Sequence, residues 1–422
     1  MTFRLIVLLF RSQDLSTDPD AYIALAKGIS EHGGLCRPGS ADPTAFRPPL
    51  FPWLLSILMW IGLKSSVAIA SINLASSGVL MIATWWMARV VGLRGIYPAI
   101  AALACAIDPL LLRYSSLPMT ESLSAALLAV AVMNVLKTVR VDGKSDGNSA
   151  KSMIVSGIFF GLAGLCRPIG FVACALVSFH IAILAIADRR KAASACSITP
   201  RTAMLLPMTA GFLLLPWVVR NAVMFGEFVP ATSHGGYTLL LGNNSVFYND
   251  VVNAPGQPVW EGASREAWQK ELDAGLERDS VDTRSEIATD RWMYSQARKA
   301  IASDRSSFVR ACLLRWKRFW ALTPSVDATQ MPFVCVIMIG VWYAVVWALN
   351  LTTLFSGIRQ RRDIQILWIA ILSFLVVHTF YWSNARMRAP LAGYFAVLGT
   401  LGLRNALTLV LRRNRSESTT AD

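Results

Sequence analysis

The sequence predicts an all-α polytopic membrane protein with about ten transmembrane helices. Three observations carry that expectation. First, the 422 residues are 54% hydrophobic and only 16% charged, where a soluble globular chain carries roughly a quarter charged residues. Second, the apolar residues come in long blocks, several close to the ~20 residues that a spanning helix needs. Third, the excess of Lys and Arg, 40 against 26 Asp and Glu for a net charge of +14, gathers in alternate turns, as membrane orientation requires. The 14 Trp and 19 Phe exclude a disordered polar chain. Seven scattered Cys exclude a disulfide scaffold.

The elements follow in chain order. The apolar run 2–10 is short for a span and reads either as a truncated first helix or as a signal sequence. No small-residue cleavage site follows it, which favours the helix. Residues 50–63 are apolar but only about 14 long, and a Pro-Pro pair precedes them, which suits a re-entrant or interfacial helix. The remaining blocks read as spans over 67–88, 95–112, 119–136, 153–166, 169–187, 203–219, 331–355, 364–382 and 389–411. With 50–63 left out of the count, one set of turns holds Arg89, Arg94, Lys137, Arg140, Lys144, Lys151, Arg189, Arg190, Lys191, Arg201, Arg359, Arg361 and Arg362. The tail adds Arg412, Arg413 and Arg415. The opposite turns hold only Arg113, Arg167, Arg220, Arg386 and Arg388. The positive-inside rule then places both termini in the cytoplasm.

Three parts result: an N-terminal membrane module, 1–225, with a long first outer loop at 11–66; an outer segment, 226–330; and C-terminal spans with a basic tail, 331–422. The outer segment carries 12 basic and 13 acidic residues, leaving 28 basic and 13 acidic elsewhere. The charge therefore sets topology and is not a nucleic-acid patch. Apolar spacing predicts helix over 284–320. The Gly, Pro and Asn of the first half of the segment read as loop.

Ionisable residues at membrane level are costly, so a functional reading is weighed for each one on the outer side. Asp18 and Tyr22 share a face if Pro19 opens a helix. Asp18 is then either an N-cap or a working carboxylate, or both. Arg47, before Pro48-Pro49, is either a snorkelling anchor or a ligand for an anionic headgroup. Glu121 opens an apolar helix, where it suits the dipole and also the position of a general base. Arg167-Pro168, Arg220-Asn221 and Arg386 lie on the same side, and converging guanidiniums bind phosphate. His234, next to Gly235-Gly236, is the one His worth testing. His32, His180 and His378 show no metal-ligand spacing, and no zinc site is supported. Cys36 and Cys312, both outer, are the one pair that could join. No P-loop or dinucleotide fingerprint is present.

Taken together and in order, these residues resemble the GT-C superfamily of membrane glycosyltransferases. The likeness is to the bacterial branch related to dolichyl-phosphate-mannose–protein mannosyltransferases and to the lipid A aminoarabinose transferase. The resemblance runs through Asp18-x-x-x-Tyr22, Arg47-Pro48-Pro49-Leu50-Phe51-Pro52, Asp108-Pro109 and Thr120-Glu121. It continues through Gly161-Leu162-Ala163-Gly164-Leu165, Arg167-Pro168, Pro216-Trp217, Arg220-Asn221, Gly235-Gly236 and Gly242-Asn243-Asn244. It implies a GT-C-like bundle with interfacial helices in the first outer loop. It also implies an enzyme that moves a sugar, hexosyl or pentosyl, from a polyprenyl-phosphate donor to a glycan, lipid or protein acceptor of the cell envelope, with inversion. Asp18 matches the catalytic carboxylate, with Asp20 and Glu121 as further acidic candidates. Tyr22, Arg47, Arg167, Arg220 and Arg386 are candidates for the donor phosphate, and His234, Asn243 and Asn244 for an acceptor or loop site. The donor arrives already charged with sugar, so no nucleotide site is needed, and divalent-cation dependence is left open. The expected location is the cytoplasmic (inner) membrane, with the active site facing the periplasm. A lipid or polysaccharide transporter is the alternative from another class, and a non-catalytic scaffold of the same fold the third.

Overall fold

The computed structural model describes residues 2–139, 149–190, 198–323, 332–356 and 361–419. Arg140, Lys144, Lys191, Cys196 and Arg359 lie outside the described residues, as do the side chains of Arg189, Arg190, Arg412, Arg413 and Arg415. The described chain is helical, with one isolated bridge between Cys36 and Pro43. Helix α1 (Thr2–Phe10) leads to a short 3-10 turn at Ser12–Ser16. The first long connection then holds α2 (Tyr22–His32) and α3 (Leu50–Trp60). Next come α4 (Ser65–Val90), α5 (Tyr97–Ala106), α6 (Pro109–Ser115), α7 (Glu121–Thr138), α8 (Ser149–Cys166), α9 (Ile169–Arg190) and α10 (Pro200–Phe225). The second long connection folds into α11 (Gly235–Gly242), α12 (Ser245–Phe247), α13 (Ala263–Arg278), α14 (Glu286–Ser303) and α15 (Arg305–Phe319). The chain ends with α16 (Phe333–Ser356), α17 (Arg362–Phe380) and α18 (Ala392–Thr419).

Among the described residues, eight helices are long and apolar enough to cross a membrane, or nine if α5 and α6 form one broken span. The protein is thus an all-α polytopic membrane protein. Helix α3, with 11 residues, is too short to cross, as its sequence implies. The block 95–112, expected as one span, is instead α5 and α6, bent by 51°. The break has a local cause. Asp108 accepts a hydrogen bond from Leu111 N at 2.9 Å and starts α6, and Pro109 cannot continue α5. Arg4 explains how the exposed end of α5 is tolerated. It does not snorkel but lies buried (1% exposed) and donates to Ala106 O at 3.2 Å, Cys105 O at 3.0 Å and Ser77 Oγ at 2.9 Å. Backbone carbonyls freed at membrane depth need such a donor.

Small residues let the long helices approach. A Cβ on Gly157 would meet the Leu206 carbonyl of α10, and one on Gly402 would collide with the Leu349 carbonyl of α16. At one end of the bundle Arg361 donates to Val91 O at 2.6 Å and Arg404 to Gly92 O at 3.3 Å. These basic turns are those assigned by charge to a single side. The two long connections meet at the opposite end.

The second connection departs from its expected loop-then-helix form. Helices α11 and α13 occupy the half read as loop. Tyr248, Phe247, Leu240, Trp260 and Trp268 form a second buried core with Ala297, Ala311 and Leu314, and this packing outweighs the local Gly and Asn preferences. Gly236 belongs to that packing, because a Cβ there would collide with the Asp290 carbonyl of α14. The helix expected over 284–320 is two helices, broken where Asp304 caps α15 through Ser307 N at 2.9 Å. Cys36 and Cys312 are free thiols, so that pairing does not form.

Candidate functional site

The site begins in the turn before α2. Ala21 N donates to Asp18 O at 3.2 Å, closing a turn with Pro19 second, and Ala21 takes a left-handed conformation (φ 61°). Helix α2 therefore opens at Tyr22 and not at Pro19. Asp18 reaches over the turn and accepts from Ile23 N at 3.1 Å and Ala24 N at 2.9 Å. Both its oxygens thus serve the exposed amides of α2. Asp20 points the other way, into a cluster of arginines.

Three elements deliver that cluster. Arg47 comes from the Pro-Pro turn before α3. Its Nη2 lies 3.1 Å from Asp20 Oδ1, and its Nε donates to Asp20 O at 3.2 Å. Arg386 comes from a 3-10 helix at Ala385–Leu391, opened by Asn384, which accepts from Arg386 N at 3.0 Å. Its Nη2 lies 2.7 Å from Asp20 Oδ2, and its Nε donates to Glu121 Oε1. Arg167 comes from the α8–α9 turn, and its Nη1 lies 2.7 Å from the same Glu121 oxygen. Glu121 opens α7, at the favourable end of the helix dipole. It is wholly buried, and its Oε2 makes no hydrogen bond among the described residues.

The three guanidiniums are 15–21% exposed and Asp20 is 18% exposed, so the cluster opens to solvent on one side. Three positive charges face two negative ones in a partly desolvated cleft. The balance favours an added anion over an added cation. Burial alone would raise the Asp20 carboxyl, but Arg386 and Arg47 together hold it below the usual carboxylate range. Among the described residues no group of three His, Cys, Asp or Glu is arranged to hold a metal ion.

Aromatic rings border the cluster. Arg47 stacks over Phe46 at 4.5 Å and lies 5.9 Å from the Tyr22 ring. Arg386 lies over Tyr114 at 5.3 Å. Phe46 meets His234 edge-on at 4.4 Å, and His234 stacks on Tyr237 at 5.0 Å. Burial and then Arg47 push the His234 imidazole down to about 3, so it is neutral at pH 7. Burial raises the Tyr22 phenol to about 12.

Asp20, Tyr22, Arg47, Glu121, Arg167, Arg386 and His234 are thus brought to one place. Asp18 stands behind them as the α2 cap. The other three sequence candidates serve the scaffold. Arg220 donates to Thr44 O at 2.9 Å and Leu35 O at 3.1 Å, fixing the first long connection. Asn243 accepts from Arg315 Nη2 at 2.8 Å and donates to Phe380 O at 2.9 Å. Asn244 caps α12 through Phe247 N at 2.8 Å.

Sequence reasoning missed three contributors. Glu286 accepts from Ala45 N at 3.1 Å, from Arg37 Nε at 3.3 Å and from Ser233, and so ties the two long connections together beside the site. Arg388, two residues after Arg386, is buried between the rings of Tyr343 and Trp347 at 4.3 and 5.2 Å. Arg315 is buried on α15, and its place beside Ala311 and Leu314 on the apolar face was a readable signal.

No protein-family model matches the chain, and no curated protein matches it. Solved structures do match its fold. The archaeal oligosaccharyltransferase AglB from Archaeoglobus fulgidus, in complex with an inhibitory peptide and a dolichol-phosphate, aligns with a TM-score of 0.54 at 16% identity. That alignment covers 99% of this chain and 52% of AglB. The apo form of the Archaeoglobus fulgidus oligosaccharyltransferase aligns with a TM-score of 0.52, at 16% identity over 98% of this chain and 52% of the other. The chain shares the fold of these oligosaccharyltransferases over nearly its whole length. ArnT from Cupriavidus metallidurans, bound to undecaprenyl phosphate, also aligns, with a TM-score of 0.46, at 16% identity over 95% of this chain and 76% of ArnT. The chain spans about half the length of the oligosaccharyltransferases it matches.

Proposed function

We propose that the chain is a glycosyltransferase that takes a sugar from a polyprenyl-phosphate donor and gives it to a hydroxyl-bearing acceptor of the cell envelope. The observation that carries this reading is the cluster of Arg47, Arg167 and Arg386 around Asp20 and Glu121. It has one positive charge to spare and an open side. A phosphate monoester leaving group needs such bidentate donors where its charge develops. The AglB structure in the same fold holds a dolichol-phosphate, which supports a lipid-linked donor. The positive-inside count supports a site on the periplasmic side of the inner membrane.

In this mechanism the acceptor oxygen attacks the anomeric carbon from the face opposite the phosphate. The carbon–oxygen bond to phosphate breaks, the phosphate leaves with the electron pair, and the configuration inverts. Asp20 takes the acceptor proton. The arginines that hold Asp20 low at rest are the ones the phosphate engages, so donor binding raises the basicity of Asp20 when a base is needed. Glu121 keeps Arg167 and Arg386 oriented, and Asp18 fixes the turn that aims Asp20. The guanidiniums supply the positive charge that a divalent cation would bring.

The test is transfer from a panel of polyprenyl-phosphate sugars to membrane-extract acceptors by the purified chain in detergent, read as product mass. Product formation that survives chelation by EDTA is expected. Absence of product with every donor, or movement of lipid without a covalent product, overturns the reading.

A further inference from the structure

Helix α15 carries a feature that the proposed reaction does not use. Its buried face is Ser307, Ala311, Leu314, Arg315 and Phe319. Its other face exposes Val309, Leu313 and Trp316 at 56%, 61% and 46%. These positions are four and three residues apart and make one stripe. The height of that stripe is fixed. Trp316 Nε1 donates to Thr379 Oγ1 at 2.7 Å, and Arg315 Nη1 donates to Thr379 O at 2.8 Å. Thr379 is the penultimate residue of the spanning helix α17. The exposed stripe therefore lies at the rim of the membrane, where a half-exposed Trp is favoured.

Beside the stripe, Arg310 and Lys317 are seven residues apart on the same side of the helix. With Val252, Gln257, Leu313 and Leu314 they line an open cleft of about 190 Å³. Their partners are neutral. Arg310 Nη1 donates to Asn253 Oδ1 at 3.1 Å, and Lys317 Nζ to Gln257 Oε1 at 3.0 Å. No carboxylate lines the cleft. Asp304, at the start of α15, is a carboxylate in Coulombic reach of Arg310, and it lies outside the cleft. Two cations thus line the cleft beside an apolar stripe.

We propose that α15 lies in the headgroup layer and that Arg310 and Lys317 grip the phosphate of an anionic phospholipid, whose chains pass Leu313 and Val309. Charge complementarity selects the anionic class, since a zwitterionic headgroup brings its own cation to a site that already holds two. The apolar stripe selects a lipid over a soluble anion. The site shares no residue with the Asp20 cluster, and the proposal stands whether or not the transferase reading does.

The experiment is native mass spectrometry of the full chain released from nanodiscs of mixed phosphatidylglycerol and phosphatidylcholine. The wild type is expected to retain phosphatidylglycerol preferentially, by roughly tenfold or more given two cations near the surface. The variant R310Q/K317Q loses that preference, R310K/K317R keeps it, and millimolar inorganic phosphate does not displace the lipid. If the double variant fails to fold, the single variant K317Q carries the test with a roughly fivefold loss. Equal retention of the two lipids by the wild type overturns the proposal. So does undiminished preference in the glutamine variant, or displacement by inorganic phosphate.

Discussion

Asp20 and Arg386 stand 366 positions apart in the chain and 2.7 Å apart in the fold. The same guanidinium reaches Glu121 through its Nε, so one side chain from the C-terminal part joins carboxylates from the first connection and from α7. Arg386→Ala leaves Glu121 buried with only Arg167 as a charged partner. The expected cost is about 3–5 kcal/mol, the range for breaking one side of a buried pair, together with loss of transfer. Arg386→Lys keeps the charge but not the planar fork, and is expected to recover more stability than turnover. Thermal unfolding in detergent, run beside the transfer assay, separates the two effects. Turnover near wild type in Arg386→Ala would remove the cluster from the mechanism.

The two acidic residues of the first turn are expected to behave differently. Asp20→Asn keeps the size but removes the base and one anchor of Arg47 and Arg386. A loss of 10²-fold or more in turnover is expected, the usual scale for a general base. Asp18→Asn retains one acceptor for the α2 amides. It is expected to cost about 1 kcal/mol of cap energy and less than tenfold in turnover. Rates for the two variants, measured at one saturating donor concentration, decide between them. The reverse ranking would restore Asp18 to the chemistry.

The contrast between these two shows what the sequence could carry. Spans, the short α3 and the gathering of basic turns at one end were legible because hydrophobic length and charge are one-dimensional signals. The convergence of Arg47, Arg167, Arg386 and Glu121 followed from their shared side, but that side also holds Arg220, which ties down the first long connection instead. The direction of Asp18 and Asp20 was not, because it depends on the left-handed Ala21, which no residue preference announces. The break at Asp108-Pro109 was visible as a motif, but its acceptance in a membrane depends on Arg4, about a hundred residues away. The helices of 235–278 were hidden because their core of Tyr, Phe and Trp is assembled from distant segments.

Gly236 is a point where close approach admits no side chain. Its amide donates to Asp290 Oδ1 at 2.6 Å, and α11 rests there against α14, two residues from His234 and one helical turn from Glu286. Gly236→Ala is expected to push the two helices apart and to destabilise by about 1–3 kcal/mol. It should also loosen the first long connection that Glu286 holds. Limited proteolysis would show faster cleavage near residues 37–45 in the variant. An unchanged cleavage pattern and melting midpoint would mean that α11 and α14 part at no cost.

His234 gives the fold a dependence on pH. Its imidazole titrates near 3 in the folded chain against 6.5 when free. Between those values the unfolded chain binds a proton that the folded chain does not, so stability rises with pH across this window and is flat above 6.5. The contribution lost at pH 5 is about 2 kcal/mol, from 1.36 kcal/mol per pH unit. The Asp20 carboxylate interferes little at pH 5, because its stability contribution is lost only as pH falls through its unfolded value of 3.8 toward its lower folded one. His234→Gln removes the titrating group but also the stacking on Tyr237, so its melting midpoint is expected to be lower at every pH. Its fall between pH 7.5 and pH 5 is expected to be smaller than that of the wild type. That slope, and not the absolute midpoint, is the diagnostic quantity. An equal slope in the two proteins would mean that His234 takes up its proton without leaving the cleft between Phe46 and Tyr237.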